Sequence, residues 1–269
     1  MDVSCYERLC KIVYDQSGIL IRDGKMSMVA SRIAKRLRSL RLDSELEYVQ
    51  YLEQATGDEI VHLLDAISTN VTSFYRESHH FDVVRQAMQG WLKAGQSRFR
   101  FWSAACSTGE EPYTLAMTAH DTLKDHGPAG DVKILATDIS TRVLAEAQAG
   151  AYAENRVDSI PANLRNRHMR KELDDGKIVY RMCEELRQLI TFRRMNLSQP
   201  PFPMKGPMDV IFCRNVMIYF DNPVRDALLQ EFHQLLRPDG YLMVGHSEGL
   251  TRSGHLFSRV GSSTYRPIK

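Results

Sequence analysis

Nowhere in this chain does an uninterrupted apolar run approach the roughly 20 residues that a membrane span requires, and charges are scattered through the first 20 positions where a secretory leader would need an apolar stretch. A soluble, cytoplasmic protein is expected. Cysteine is scarce and poorly placed for cross-linking. The five (Cys5, Cys10, Cys106, Cys183, Cys213) are odd in number and never spaced as CxxC, which argues against a disulfide framework and a zinc knuckle. An excess of charge of either sign is missing too. With 35 Lys plus Arg against 33 Asp plus Glu, the molecule as a whole carries no field suited to nucleic acid or a membrane surface, so any electrostatic function must be local. Two glycosylation triplets, at Asn70 and Asn196, lack the secretory signal that would give them that meaning. Repeats and low-complexity tracts are absent, and 269 residues suffice for one or two domains.

What is present divides in two. Residues 1–72 read as helices: Val29, Ile33, Leu37 and Leu40 share one helical face. The opposite face is basic, carrying Lys25, Arg32, Lys35, Arg36, Arg38 and Arg41 with no acidic residue between Gly24 and Leu42. Ser44 and Glu47 stand at capping-box spacing, and no strand is expected in this region. Residues 73–97 read as a linker and the first helix of a second domain, 98–269. There, strand-length apolar runs (98–105, 131–138, 189–196, 208–215, 240–247) alternate with helix-like stretches, the last helix closed by a turn at RPDG, 237–240. This alternation predicts an α/β fold with a mostly parallel sheet. The interval from about 153 to 190 is too long for one crossover and reads as a small inserted β-subdomain with a hairpin at its DDG turn.

Ligands in open parallel sheets sit outside the carboxyl ends of the strands, and here those ends are polar. Ala105–Gly109 forms a turn before Glu110 and Glu111, which open a helix. One carboxylate at a helix N-terminus is explained by the unpaired amides; a second is available to meet a cation. A pyrophosphate would not tolerate that charge, so a dinucleotide is disfavoured and a ligand with ammonium and sulfonium groups is favoured. Asp138 ends the second run and reads equally as a helix cap or as a ribose ligand. Asn196, Arg214, Asn215 and Tyr219 follow the later runs. His79, His80 and His246 lack metal-ligand spacing, and no metal site is expected.

Five ordered blocks, TNVTSFYRESHHF (69–81), WSAACSTGEEPYTLA (102–116), ATDIS (136–140), FCRNVMIYF (212–220) and LRPDGYLMVGHSE (236–248), resemble those of the CheR family, the chemotaxis receptor (protein-glutamate) O-methyltransferases, over nearly the whole chain. The resemblance implies an all-α N-terminal domain followed by a Rossmann-like S-adenosylmethionine-dependent sheet. It implies transfer of a methyl group to glutamate side chains on the cytoplasmic helices of chemoreceptors, leaving S-adenosylhomocysteine. Asn70, Thr72, Arg76, Glu111, Asp138, Asn196, Leu197, Arg214 and Asn215 would hold the cofactor, with Glu111 rather than Glu110 at its methionine end. Arg76, Arg214 and Tyr219 would serve at the reacting end, and Arg32, Lys35, Arg36 and Arg38 would face the acidic receptor. A cytoplasmic monomer recruited to membrane receptor arrays, with no nucleic acid and no membrane insertion, is expected. The inserted turn has Gly176 alone, which argues against docking of a receptor tail. The rival readings are a non-catalytic cofactor-binding adaptor and a nucleic-acid methyltransferase, the latter echoed only by QPPF at 199–202.

Overall fold

The computed structural model of the protein describes residues 1–54, 58–126, 130–250 and 253–269. The chain begins with α1 (Val3–Ser17), α2 (Met26–Leu40), α3 (Glu45–Gln54) and α4 (Asp58–Ile67). Asp2 starts α1 by accepting from the Cys5 amide at 2.7 Å, and Gly18 ends it at a φ of 69°. The predicted apolar face of α2 is the buried one: Val29 and Ile33 lose all exposure beside Leu9, Val13, Tyr48, Val49 and Leu63, and Leu37 and Leu40 pack at the margin. The Ser44 hydroxyl accepts from the Glu47 amide at 3.2 Å, while the Glu47 carboxylate reaches one residue further back, to the Asp43 amide at 3.0 Å.

The basic face of α2 is partly turned inward. Arg36 grips the buried Glu59 in a bidentate pair (Nε 3.0 Å, Nη2 2.6 Å), and the Tyr48 hydroxyl donates to the same carboxylate at 2.8 Å. Arg32 donates to the Ile67 carbonyl, to that of Ser68 at 3.2 Å and to the Thr69 hydroxyl at 3.3 Å. It thus satisfies carbonyls at the open end of α4. Lys35 and Arg38 remain exposed.

The second half runs α5 (His79–Lys93), β1 (Arg98–Ser103), α6 (Glu110–His126), β2 (Asp131–Asp138), α7 (Thr141–Ala149), β3 (Ala151–Ala153), α8 (Glu154–Val157), α9 (Ala162–His168), β4 (Met169–Asp174), β5 (Lys177–Met182), α10 (Glu184–Arg187), β6 (Ile190–Arg194), β7 (Met208–Cys213), a 3₁₀ turn (Met217–Tyr219), α11 (Asn222–Leu235), β8 (Leu236–Val244), β9 (Phe257–Gly261) and β10 (Thr264–Pro267). Seven strands form one sheet in the order β6-β2-β1-β7-β8-β10-β9, with β6 through β8 parallel. From β1 the chain builds outward through β2 to β6, then returns to β7 on the other side of β1. The order therefore reverses between β1 and β7, the place where open sheets leave a crevice. Every residue of β7 is buried, as a central strand covered on both faces requires. The insertion is a separate sheet, β3-β5-β4, its hairpin turning at Asp175 and Gly176 with φ of 46° and 75°.

Two elements differ from the sequence reading. RPDG does not turn after α11 but lies within β8, where the pairing Met208 with Leu236 shifts to Val210 with Tyr241. The irregularity absorbs Pro238 and Gly240, and Arg237 is held there by Asp209 at 2.8 Å and against the Trp91 ring at 5.2 Å. The antiparallel hairpin β9-β10 was not anticipated; it extends the sheet beyond β8.

The helical segment rests on the loop after β7. Tyr14 donates to Asp221 at 2.6 Å, the Leu20 amide donates to the Tyr219 carbonyl at 2.8 Å, and Ile19 bridges Phe220. All five cysteines are free thiols, and among the described residues no helix is long and apolar enough to cross a membrane.

Removing one partner of a fully buried ion pair costs roughly 3–5 kcal/mol, and Arg36 keeps some contact with water, so Glu59→Gln is expected to destabilise the protein by about 2 kcal/mol. Urea denaturation checks this: the midpoint falls for Glu59→Gln and recovers in the triple variant Arg36→Met/Tyr48→Phe/Glu59→Leu, which removes every polar member of the cluster. An unchanged midpoint in the single variant would mean that the pair contributes nothing.

Candidate active site

The turn after β1 decides the geometry of the crevice. Ser107 and Gly109 both take positive φ, 47° and 96°, and a Cβ on Gly109 would lie 2.9 Å from that of Ala147 and 2.8 Å from the Tyr152 hydroxyl oxygen. Only glycine lets the turn press against α7 and the insertion before α6 begins. The two carboxylates at the head of α6 then part company. Glu110, almost fully buried, pairs with Arg156 of α8 and accepts from the Thr108 hydroxyl at 2.8 Å. It ties the insertion to α6. Glu111 faces the crevice, accepting from the Ser103 hydroxyl at 2.6 Å, with Arg214 Nε 3.1 Å from its other oxygen. Burial pushes the Glu111 carboxyl above its ordinary range, opposed by the Arg214 guanidinium and the Ser103 hydroxyl.

Arg214 is held through its two terminal nitrogens, while its buried Nε, 3.1 Å from Glu111, attracts that carboxylate without an aligned hydrogen bond. It donates to His80 Nδ1 at 3.2 Å and to the Arg76 carbonyl at 2.7 Å, and its guanidinium lies 5.7 and 5.6 Å from the ring centres of Phe81 and Phe212. Burial, then the charge of Arg214, drives His80 down to about 3, so its ring is neutral and Nδ1 accepts. His80 was read from sequence only as a structural histidine; its place beside Arg214 follows from α5 packing on β7, which local spacing does not reveal.

A second unforeseen residue is Glu248. Fully buried, it accepts from the amides of Asn215 (2.6 Å), Gly245 (2.7 Å) and Ile218 (3.2 Å). One carboxylate thus joins the loops after β7 and β8 and holds Asn215 at a φ of 59°. A Cβ on Gly245 would meet Asn215 Nδ2 at 2.5 Å and Glu248 Oε2 at 2.6 Å. The only sequence signal was that Glu248 closes the last of the five resembling blocks.

The remaining candidates gather at the same rim. Asp138 accepts from the amides of Ser107 (2.9 Å) and Ser140 (3.0 Å), and burial raises its carboxyl against them. The cap of α7 is Ser140, whose hydroxyl accepts from Val143 at 3.3 Å, so Asp138 is left facing the crevice. Asn196 is engaged as a clamp: its amide donates to the Gln16 carbonyl at 2.9 Å and its oxygen accepts from Ser198. Asn70 gives its carbonyl to the Ser107 hydroxyl at 3.1 Å, while its Nδ2 is buried without a partner. Arg76 reaches back to the Val71 carbonyl at 2.9 Å. Thr72, Leu197 and Tyr219 also line the cleft, which is open to solvent. Arg32, Lys35, Arg36 and Arg38 are not part of it. Phe202 of the QPPF segment is buried edge-on against Trp102 at 5.3 Å, which leaves it no free face for a base.

This donor set fits an amino-acid nucleoside. Glu111 offers an anion for an ammonium group, Asp138 an acceptor for paired hydroxyls, Ile139, Met195 and Leu197 an apolar wall, and the orphaned Asn70 Nδ2 a donor awaiting an acceptor.

Comparison with known proteins agrees with that chemistry. Residues 70–266 match the family described as CheR methyltransferase, SAM binding domain, and residues 5–68 match CheR methyltransferase, all-alpha domain. The chain is 40% identical over 262 residues to chemotaxis protein methyltransferase 2 of Pseudomonas aeruginosa, covering 97% of this chain and 92% of that one. It is 38% identical over 263 residues to the chemotaxis protein methyltransferase of Escherichia coli, covering 97% and 89%. Among solved structures, a TehB-like SAM-dependent methyltransferase from Corynebacterium glutamicum aligns over 60% of each chain at 15% identity and a TM-score of 0.34, too distant to add weight. On two matched domains and relatives of nearly full length, the chain belongs to the CheR methyltransferase family, enzymes that use S-adenosylmethionine.

Proposed function

We propose that the crevice holds S-adenosylmethionine with its ammonium on Glu111 and its ribose on Asp138, and that the protein esterifies glutamate side chains on the cytoplasmic helices of chemoreceptors. The observation that carries the reading is the buried Glu111 beside the immobilised Arg214, with Asp138 on the same rim. Asn70, Thr72, Asn196, Leu197 and Asn215 line the rest of the cofactor site in this reading. When bound, S-adenosylmethionine supplies an electron-poor methyl group.

The receptor carboxylate, with an ordinary pKa of about 4.3, arrives ionised at neutral pH and needs no general base. The work left to the protein is alignment and exclusion of water. Arg76 and Tyr219 line the cleft and are assigned to orient the incoming carboxylate. Arg214 acts otherwise than its residue type suggests. Its nitrogens are already directed to Glu111, His80 and the Arg76 carbonyl, so it is a positioning residue, holding the anion of the site and the backbone from which Arg76 extends. On the surface of α2, Lys35 and Arg38 are the cations free to meet an acidic receptor helix, while Arg32 and Arg36 support the helical segment. The protein acts in the cytoplasm as a monomer and joins membrane receptor arrays through its substrates.

Arg76→Ala is expected to lower receptor methylation at least about 100-fold by misplacing the nucleophile. Tyr219→Phe, which loses one hydrogen bond, should lower it roughly tenfold. Label transfer to receptor fragments measures both, and near-normal turnover of Arg76→Ala would exclude its role.

An ammonium needs Glu111 ionised, so affinity is full above the raised pKa of Glu111 and is lost as pH falls through it. Calorimetry with S-adenosylhomocysteine should show that decline, flattened in Glu111→Gln.

Reversal of Lys35 and Arg38 to Glu should weaken methylation at low salt and progressively less as salt shortens the screening length, with cofactor affinity unchanged. Equal methylation at low ionic strength would exclude α2 as the receptor face.

A further inference from the structure

Away from the crevice, the far half of α6 meets the end of α9 in a cluster with no role in methyl transfer. One ligand atom from each of His120, Asp121 and His168 lies within 4.8 Å of the other two, and His120 Nδ1, Asp121 Oδ1 and His168 Nε2 are the ones at issue. Each atom is buried and none makes a hydrogen bond. Asp121 Oδ1 is 3.0 Å from His168 Nε2 and 3.5 Å from His120 Nδ1, close enough to attract but without hydrogen-bond alignment. A buried polar atom left unpaired is costly, and here three such atoms share one point.

Both separations from Asp121 Oδ1 are of the size that a shared metal sets. Tetrahedral Zn²⁺ with bonds of about 2.0–2.2 Å sets its ligand atoms about 3.3 Å apart, and the two separations bracket that value. The imidazoles stand at 90° to one another with ring centres 5.4 Å apart, so their nitrogens approach from different directions. His168 is 1% exposed, whereas His120 is 35% exposed, which leaves room for water on the outer side. The other oxygen of Asp121 accepts from Arg167 at 3.0 Å, an outer partner that fixes the carboxylate. Two imidazoles with one carboxylate suit Zn²⁺ better than Mg²⁺ or Ca²⁺, which take oxygen ligands.

We propose that His120, Asp121 and His168 form a divalent-cation site of the Zn²⁺ class, completed by water, that fastens the inserted subdomain to α6. His168 is the last residue of α9, immediately before β4 of the inserted sheet, and α6 carries Glu110 and Glu111 at its other end. A cation would therefore join at one end of α6 what Arg156 and Glu110 join at the other. Neither segment shows a metal-binding spacing on its own; the fold creates the site.

The test uses the full chain freed of metal by chelation, titrated with Zn²⁺ by calorimetry and with Co²⁺ by visible absorption, with thermal unfolding in parallel. One equivalent of each ion is expected, with the intense absorption of tetrahedral Co²⁺ and a Tm that rises with Zn²⁺ concentration. His120→Ala, at a partly exposed position, should keep its fold and its affinity for S-adenosylhomocysteine while losing at least about tenfold in Zn²⁺ affinity. The proposal is overturned if the wild-type protein takes up no Zn²⁺ at micromolar concentration, or if His120→Ala binds as the wild type does. Either result would leave only a strained His168–Asp121 ion pair.

Discussion

One buried ion pair organises this molecule. Glu111 and Arg214 come from opposite sides of the crevice, the first from the head of α6 beside β1 and the second from the end of β7. Both are nearly inaccessible to water, and charges so placed lose hydration that only close partners replace. Those partners are present: a hydroxyl for Glu111, and an imidazole nitrogen, a carbonyl and two aromatic faces for Arg214. A pair of this kind is a poor device for stability and a good one for preorganisation, because its dipoles stand in place before any ligand arrives. The raised pKa of Glu111 expresses the same fact: the carboxylate is under-solvated and gains from an added cation.

The rest of the fold keeps that pair in position. Reversal of strand order between β1 and β7 opens the crevice, and Gly109 lets the first turn close against α7. Glu248 ties the amides of two loops into one rim, and Asp138 joins two more amides across the neighbouring loops. The helical segment contributes Asn70, Thr72 and Arg76 through the strand of chain that follows α4, whose end is held by Arg32. A basic residue exposed in a helical projection therefore acts in the interior, on the path that leads to the site.

How much was legible in the sequence depended on the range of the interaction. The strands β1, β2, β6 and β7 announce themselves by local apolar runs, whereas position at a helix start says only that one of Glu110 and Glu111 is spare, and the choice of Glu111 came from the family resemblance. RPDG misled because Pro and Gly signal a turn by local preference, while pairing with β7 overrode it and made an irregular strand. Arg36 read as surface because its partner Glu59 lies on another helix. The partners of His80 and Glu248, and the His120–Asp121–His168 cluster, are not legible for the same reason: each acts on a group that only the tertiary fold brings near.

The most direct measurement is a crystal structure with S-adenosylhomocysteine bound. The ligand's ammonium should lie within hydrogen-bond distance of Glu111, its ribose on Asp138 and an acceptor atom on Asn70 Nδ2, with Arg214 still on His80 and the Arg76 carbonyl. A ligand seated elsewhere, or an Arg214 that leaves Glu111 to bind the ligand itself, would contradict the account.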